Sequence, residues 1–566
     1  MKRREFLEAV AGDRGPQSAQ GVGDSPRGTR PLVRTTSGIE PYIGGWSTEQ
    51  ASHLLRRTVF GPRRAEILLV TSGPLSSAVG TLLADQPDPE EPKGPAGVSW
   101  VDAVYDTNYG QNEGTYRNYL KAWWLGLMVQ QGISIREKMV LFWHNHFANE
   151  ATEIRDARSV YRQNALFRRM ALGNFKQLVK EITLDPAMLV YLNGYLNRGG
   201  GNNIPDENYA RELLELFTIG KGPQIAEGNY THYTETDVKA AARVLTGYRV
   251  TGSPRDRNYL NQPLGSLFDP ARHDATNKQF SPAFQNTVIT GKTGANGAAE
   301  LDDLLTMIFA QPETARHLCR KLYRWFVYYD IDDQVEQNVI APLAQIMIDS
   351  GYEVKPVIDV LLKSAHFFDE NNIGCFVKTP MDLVAGSVRQ FPSASLPDLS
   401  SWQNYALGNS FRATGANLQM NLFDPPDVAG WKAFYQNPDF YQSWINTATL
   451  PSRGGFTDSL VNGVRAGTTR FSIDVLAFVK TLPDPADPFK MLDGLASEVS
   501  PIALTANQKD YLMYSVLGLT HTAEYEWTQR WNTYLQDPTT QNTNNVLTPL
   551  NTLIKFMLRM AEFQLA

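Results

Sequence analysis

The sequence contains only two cysteines, Cys319 and Cys375, among 566 residues. So few thiols cannot form a disulfide framework, although these two could pair with each other. Cys319 lies on an apolar helical stripe, which favours a buried free thiol at that position. Cysteine content therefore does not indicate whether the protein resides in a reducing or an oxidising compartment.

The chain also lacks an apolar run of about 18 residues, so we expect no transmembrane helix. It has 53 basic and 59 acidic residues, which gives a net charge of −6. A general nucleic-acid-binding protein would have a basic surplus or a basic stripe. The charge balance therefore argues against nucleic acid as a partner, although it leaves room for a small basic patch.

Several common catalytic signatures are missing. The sequence has no Gly-x-Ser-x-Gly elbow, no Walker-type phosphate loop, no Cys-x-x-Cys pair and no His-Glu-x-x-His motif. The run Gly199-Gly200-Gly201 lacks the strand-to-helix context of a dinucleotide site. The sequence thus assigns neither a cofactor nor a reaction by motif.

The N-terminal region is rich in Gly, Pro, Ser and Arg, and residues 1–45 are predicted to form a flexible lead. The Arg3-Arg4 pair is similar to a twin-arginine export signal, but Glu8 and Asp13 interrupt the apolar segment that should follow. Either this is a degenerate export signal and the protein is periplasmic or secreted, or it is a basic tail and the protein is cytoplasmic.

The remaining chain has the composition of a globular protein, with 42% hydrophobic and 20% charged residues. Single cores usually stop growing near about 250–300 residues. We therefore expect residues 46–566 to form a helical region with two sub-domains, 46–250 and 300–566, joined by a long loop over 249–300.

Apolar residues recur at helical spacing through most of this region, and capping signals mark several helix starts. Ser47 with Gln50 and Thr234 with Asp237 predict capping boxes, and Asp206 predicts another helix start. Further helices are predicted at residues 115–131, 134–147, 158–184, 315–329, 335–349, 354–367, 378–391, 505–518 and 546–564. The fold class is therefore mainly α, a multi-helix array with orthogonal or bundle-like packing, long ordered loops and little or no β-structure.

Four long stretches lack helical periodicity, at residues 85–99, 193–206, 249–300 and 424–470. Loops longer than about 12–15 residues are usually functional or disordered. The many aromatic residues between Trp431 and Trp444 favour an ordered, packed loop there. Aromatic side chains most often fill a core, but the same residues could form a sugar-stacking platform.

Spaced motifs across residues 47–566 resemble a bacterial family, the domain of unknown function 1800. The matching blocks are His53-Leu54-Leu55-Arg56-Arg57, Phe142-Trp143-His144-Asn145-His146-Phe147, Glu207-Asn208-Tyr209-Ala210-Arg211-Glu212-Leu213, Tyr233-Thr234-Glu235, His273-Asp274, and Pro425-Pro426-Asp427-Val428 with Gly430-Trp431. The resemblance implies a large helical protein without an established activity. It also implies an envelope or secreted location and a protein partner resembling the alkaline-phosphatase and sulfatase superfamily.

His144 and His146 are candidate ligands for a divalent metal. Residues two apart on a helix point about 200° apart, so both could bind one ion only if the helix ended near Trp143. The alternative is that one histidine is buried and bonded to the backbone while the other lies at the surface or at a helix end. We favour this alternative.

Glu212 and Glu215 are three residues apart and share a helix face, where they could bind a divalent cation or act as acid and base. Alternatively, Glu207, Arg211 and Glu215 form a solvated charge stripe, and this reading is favoured. His273 and Asp274 lie in a long loop and are further catalytic candidates.

Asp237 is a further candidate metal ligand, but its position in the capping box also explains it. Asp427 follows two prolines and could hold a turn through its side chain.

Three functions remain open. The first is a non-enzymatic envelope or secreted protein that acts with a protein partner. The second is a metal-dependent, hydrolase-like enzyme that uses a common site of these histidines and carboxylates. The third is a carbohydrate-binding protein, which requires the aromatic rings between Trp431 and Trp444 to be exposed on a groove.

Overall fold

The computed structural model describes residues 35–393, 396–520 and 522–566. Its described part is mainly helical, which confirms the predicted fold class. The expected export signal and most of the expected flexible lead lie outside the described residues. Residues 37–42 of that lead pair with residues 363–366, where Tyr42 N donates to Lys363 O at 2.8 Å.

The helices of the first half begin close to Trp46 and run to the middle of the chain. They are α1 (Thr48–Thr58), α2 (Arg64–Thr71), α3 (Leu75–Leu82), α4 (Thr107–Gln130), α5 (Arg136–His146), α6 (Ala151–Ile154), α7 (Ala157–Arg169), α8 (Phe175–Thr183), α9 (Pro186–Tyr191), α10 (Asn208–Glu212) and α11 (Glu235–Val244). A π-helical turn, Leu213–Phe217, continues α10.

The helices of the second half follow the long loop. They are α12 (Glu300–Phe309), α13 (Pro312–Phe326), α14 (Asp333–Val335), α15 (Ala341–Asp349), α16 (Val354–Lys363), α17 (Pro380–Gln390), α18 (Tyr405–Asn417), α19 (Thr449–Asn462), α20 (Val475–Lys480), α21 (Pro488–Val499), α22 (Ala506–Asp510), α23 (Ala523–Gln536) and α24 (Thr540–Arg559). A π-helical turn, Glu336–Ile340, joins α14 to α15, and another, Tyr511–Val516, continues α22.

Strands are short and form antiparallel two-stranded hairpins. They pair as β1 (Gln224–Ala226) with β2 (Asn229–Tyr230), β3 (Tyr248–Thr251) with β4 (Gly265–Phe268), β5 (Lys278–Gln279) with β6 (Val288–Ile289), and β7 (Val464–Ala466) with β8 (Thr469–Phe471). Single 3-10 turns occur at Gly194–Leu196, Arg257–Tyr259, Pro270–Arg272, Pro282–Phe284, Gly294–Ala299, Glu370–Asn372, Trp402–Asn404, Lys432–Phe434, Phe440–Trp444 and Glu562–Gln564. The loop over 249–300 is thus ordered by hairpins and turns.

Side chains cap the helix starts that the sequence predicts, but the capping box expected for Ser47 with Gln50 is not formed, since the Ser47 hydroxyl donates to Gln50 Oε1 at 2.6 Å. Thr234 and Asp237 form the capping box of α11. The Ser47 hydroxyl accepts from Glu49 N at 3.2 Å, and Asp206 accepts from Asn208 N at 2.8 Å. These bonds satisfy backbone donors that the first helical turn leaves without partners.

Two predicted boundaries are wrong. The expected helix over 158–184 breaks between α7 and α8, where Asn174 caps the second helix by accepting from Gln177 N at 3.0 Å. The expected irregular stretch over 424–470 contains α19, which its glycines and proline concealed, and the β7–β8 hairpin. Over 158–184 the apolar pattern was given more weight than the cap signal, whereas over 424–470 the glycines and proline were given more weight than the helical pattern.

The large apolar side chains of both halves belong to one cluster of buried residues. Helix α4 packs against α17 and α18, and Phe142 on α5 contacts Trp325 on α13 with ring centroids 5.5 Å apart. The two sub-domains stay a prediction. Both cysteines are free, and Cys319 is buried as expected. In the described ranges, no helix combines the length and the apolar character that crossing a bilayer needs.

Candidate functional site

His144 lies near the end of α5, and the core surrounds its ring. Its Nε2 atom accepts a hydrogen bond from the backbone N of Phe423 at 3.1 Å. Burial lowers the pKa of His144 to about 3, so the ring is neutral and can accept this bond. Trp124, Phe423 and Trp431 enclose the ring. The side chain thus joins α5 to the loop that follows α18.

His146 is buried as well and bonds through both ring nitrogens. Its Nε2 lies 3.0 Å from Phe217 O, and its Nδ1 lies 3.3 Å from Lys321 Nζ. Burial and then the Lys321 charge hold the pKa of His146 well below its usual value. Of the two positions expected for the second histidine, the surface or a helix end, His146 takes the helix end, because it is the last residue of α5 and is only 3% exposed.

The π-helical turn Leu213–Phe217 ends in carbonyl groups that no helical N–H satisfies. Residues of α13 supply the donors: Lys321 Nζ lies 2.7 Å from Leu216 O, and His317 Nε2 lies 3.2 Å from the same oxygen. Burial lowers the pKa of Lys321 to about 7. Two helices far apart in sequence therefore hold this turn in place.

Asp237 uses both carboxylate oxygens for structure. One accepts from Thr234 N at 2.8 Å and from the Ser281 hydroxyl at 2.7 Å, and the other accepts from Ser281 N at 2.7 Å. The capping role predicted for Asp237 is present, and Ser281 adds a contact to the long loop. These bonds occupy the lone pairs that a cation would need.

His273 and Asp274 fasten the long loop to the end of α11. His273 Nδ1 lies 3.0 Å from Thr246 O, and its Nε2 lies 3.1 Å from Glu300 Oε1 without hydrogen-bond alignment. Asp274 accepts from Arg243 Nε at 2.7 Å. Burial raises the pKa of Asp274, but the Arg243 and Thr276 hydrogen bonds outweigh it and hold that pKa low. Both side chains therefore hold the long loop against the end of α11.

Glu212 differs from these groups because its half-buried side chain has no partner in the described ranges. Among the residues that the structure describes, none donates a hydrogen bond to its carboxylate or forms an ion pair with it. Burial, and then the charges of Glu215 and Asp427, raise the pKa of Glu212 to about 7, and the charges of Arg211 and Lys221 oppose this only in part. Arg211, the adjacent cation, is directed to Glu235 at 2.6 Å and Glu207 at 3.1 Å.

The carboxylates around Glu212 are bonded mainly to tyrosine hydroxyls. Tyr233 donates to Glu215 at 2.8 Å, Tyr435 donates to Asp427 at 2.7 Å, and Tyr191 donates to Glu150 at 3.3 Å. Burial, and then the charges of Asp424, Glu153 and Asp427, raise the pKa of Glu150, so the charge of Asp427 reaches both Glu150 and Glu212. We name Glu150, Glu212, Glu215 and Asp427 the acidic cluster.

One cation, Lys221, forms an ion pair within the acidic cluster, with Glu215. Tyrosine hydroxyls satisfy hydrogen bonds without neutralising charge. The cluster therefore presents an excess of negative charge together with phenol rings. Sequence reasoning found Glu212 and Glu215 but not Glu150, because no short spacing connects residue 150 with the rest.

The structure does not bring the other predicted site residues into this cluster. In the described part of the chain, no three or more His, Cys, Asp or Glu side chains are grouped so as to hold a metal ion. The divalent metal stays a prediction. Asp427 does hold the predicted turn, since it accepts from Ala429 N at 2.7 Å.

The aromatic loop is ordered, as expected. Trp431 and Trp444 are 1% and 3% exposed, so neither offers a face for a sugar to stack on. Tyr435, 40% exposed, is the aromatic side chain of this loop that reaches solvent most. The predicted carbohydrate platform therefore lacks its two largest rings.

Comparison with known proteins gives a family but no activity. No curated protein and no solved structure matches the chain. A family profile described as "Protein of unknown function (DUF1800)" matches residues 53–565, which is nearly the whole sequence. The chain therefore belongs to the DUF1800 family.

Proposed function

We propose that this protein is a non-catalytic binding protein of the cell envelope or of the secreted space, and that its acidic cluster receives a basic segment of a protein partner. The observation that carries the proposal is the half-buried carboxylate of Glu212, which has neither a hydrogen-bond donor nor an ion pair among the described residues. A partner resembling the phosphatase and sulfatase superfamily is the one that the family resemblance suggests.

The physical reason is the cost of leaving a charge partly desolvated. A carboxylate removed from water is unfavourable unless a cation or donors compensate it. Glu215 and Asp427 add like charge, and the nearby charges of Arg211 and Lys221 offset the effect of burial only in part. An arginine or lysine side chain of a partner would supply the missing donors and the missing positive charge.

The surroundings suit a long cationic side chain better than a bare metal ion. The carboxylates of the cluster do not converge into a metal-binding group. Tyrosine side chains bond to three of these carboxylates. Lys221 of this chain already lies 5.3 Å from the ring centre of a further tyrosine, Tyr230. Cations bind favourably against aromatic faces, and arginine does so most often.

The rest of the motif residues support a binding role over catalysis. His144, His146, Asp237, His273 and Asp274 each bond to neighbouring groups that hold helices or loops in place. A metal-dependent hydrolase would need several of them to converge on one point. Their separate engagements favour the partner-binding hypothesis.

The test is calorimetric titration of the protein with hexa-arginine at low ionic strength. We expect saturable binding that strengthens as pH rises through about 7, because Glu212 then loses its proton. Glu212→Gln should weaken binding about five- to tenfold, which corresponds to about 1 kcal/mol. The control is Glu524→Gln, which removes the same charge from an exposed position on α23.

Equal weakening by both variants would mean that only net charge attracts the peptide, and would contradict the proposal. Stoichiometric binding of a divalent cation that Glu212→Gln abolishes would favour the metal-dependent alternative instead.

A further inference from the structure

A cavity lies away from the acidic cluster and shares no residue with it. It has a volume of about 460 Å³ and opens between α1, α2, α21 and the segment 500–509. Ile67, Leu68, Ile502 and Leu504 form an apolar wall. Cavities of this size and apolar lining are typical of small-molecule sites, in which a few polar groups fix the ligand.

His53 lines this cavity and has one nitrogen without a partner. Its Nε2 lies 2.9 Å from the carbonyl oxygen of Phe367, which can only accept, so Nε2 carries the hydrogen. Burial, and then the Arg57 charge, lower the pKa of His53 to about 3, so the ring is neutral. Nδ1 is therefore a bare acceptor, buried and without a donor among the described residues.

Arg56 lies one helical turn further along α1 and lines the same cavity. It is 8% exposed, and its Nη2 donates to Glu498 O at 2.9 Å and to Ser497 O at 3.2 Å. These carbonyls satisfy donors but do not neutralise the charge.

The carboxylates that line the cavity compensate Arg56 at most in part, because the charge of Glu498 opposes the effect of burial but does not outweigh it. Glu498 forms an ion pair with Arg64, and Asp493 lies 2.7 Å from Lys509. Across the described ranges no carboxylate forms an ion pair with Arg56. A buried cation without a counter-charge is unfavourable, and a bound anion would relieve it.

We propose that this cavity binds a small apolar carboxylic acid that carries a second hydrogen-bond donor. The carboxylate faces Arg56, a hydroxyl or amide N–H donates to Nδ1 of His53, and the hydrocarbon part packs against Leu68 and Ile502. Each of the two unsatisfied protein groups receives the chemical partner that it lacks. The inference is independent of the acidic cluster.

The probe is N-acetyl-leucine, which has a carboxylate, an amide N–H and a branched apolar side chain. We expect saturable binding by calorimetry at millimolar concentration or below. 4-Methylpentanoate, which keeps the carboxylate and the hydrocarbon but lacks the N–H, should bind about tenfold more weakly.

Two variants at neighbouring positions provide a matched pair. Leu68 lines the cavity and Leu69 does not, and both are exposed, at 48% and 64%. Leu68→Trp should reduce affinity for N-acetyl-leucine about tenfold or more by filling the cavity, whereas Leu69→Trp should leave it unchanged. Thermal unfolding of both variants checks that they remain folded.

The proposal is overturned if N-acetyl-leucine does not bind at millimolar concentration. It is also overturned if the two tryptophan variants weaken binding equally, or if 4-methylpentanoate binds as tightly as N-acetyl-leucine.

Discussion

The Nε2 atom of His144 accepts a hydrogen bond from the backbone N of Phe423, 279 positions later in the chain, at 3.1 Å. The next residue, Asn145, accepts from Trp431 N at 2.9 Å. Phe423 O in turn accepts from Ala151 N at 2.8 Å. Two of the motif blocks that identify the family are therefore one structural clasp between the end of α5 and the loop after α18.

His144→Phe should destabilise the protein. The phenyl ring fills the same aromatic site but leaves the buried N–H of Phe423 without an acceptor, which costs about 1–3 kcal/mol. Urea unfolding at pH 7 measures the change. His232→Phe is the control, because His232 is only half-buried and its loss should cost less than about 1 kcal/mol. Equal effects of the two substitutions would contradict the role assigned to His144.

The same histidine makes stability depend on pH. Its folded pKa, about 3, lies below the unfolded value of 6.5, so the unfolded chain binds the extra proton first. Its contribution to stability is present above pH 6.5 and is lost as pH falls towards 3, by about 1.4 kcal/mol per pH unit. The unfolding free energy of wild type should fall more steeply between pH 6 and 4 than that of His144→Phe, and parallel profiles would refute this.

The contribution of Glu212 to stability should depend on pH with the opposite sign. Its folded pKa, about 7, lies above the ordinary 4.5, so its protonated form stabilises the fold below pH 4.5 and this contribution is lost as pH rises through 7. Glu212→Gln should therefore stabilise the protein at pH 8 and change little at pH 4.5. Thermal unfolding at the two pH values measures the difference, with Glu524→Gln as the control. A uniform effect at both pH values would contradict the raised pKa.

Position 430 requires glycine for two reasons, the conformation of its backbone and the closeness of its neighbours. Its φ is +88°, and a Cβ there would lie 2.5 Å from the carbonyl oxygen of Asn145. Gly200 has a similar φ of +81° but no atom within 4 Å of a Cβ, so Gly200→Ala isolates the backbone strain. Gly430→Ala should cost more than Gly200→Ala by about 1–3 kcal/mol, because overpacking is added. Denaturant unfolding measures both costs, and equal costs would contradict the predicted overpacking against Asn145.

Glu137 and Arg168 form a buried pair, with nitrogen–oxygen distances of 2.8 and 2.9 Å. Trp124, whose ring contacts His144, also donates through Nε1 to Glu137. Glu137→Gln leaves the Arg168 charge uncompensated and should cost about 3–5 kcal/mol. Asp359→Asn, in the more exposed pair with Lys363, should cost less than about 1 kcal/mol. Chemical denaturation measures the cost of each substitution in unfolding free energy. Similar costs would contradict the prediction that burial makes the Glu137–Arg168 pair the more important of the two.

Local signals allowed much of the fold to be predicted. The capping box at Thr234 and the apolar stripe of α13 appear where the sequence places them, because both depend on residues within a few positions of each other. Helix α19 escaped prediction because Pro451, Gly454 and Gly455 disfavour a helix locally, and tertiary packing overrides that preference.

The sequence by itself determined a mainly helical protein of the DUF1800 type, the helix starts at which side chains cap the backbone, and a set of polar residues worth testing. Only the tertiary structure decided that His144 and His146 are buried and bonded to backbone and to Lys321, and that Glu212 has no partner within the part of the chain that the structure describes. The physical reason is distance along the chain. A cap acts within one turn, whereas the partner of a buried polar group is whichever residue the completed packing brings within about 3 Å.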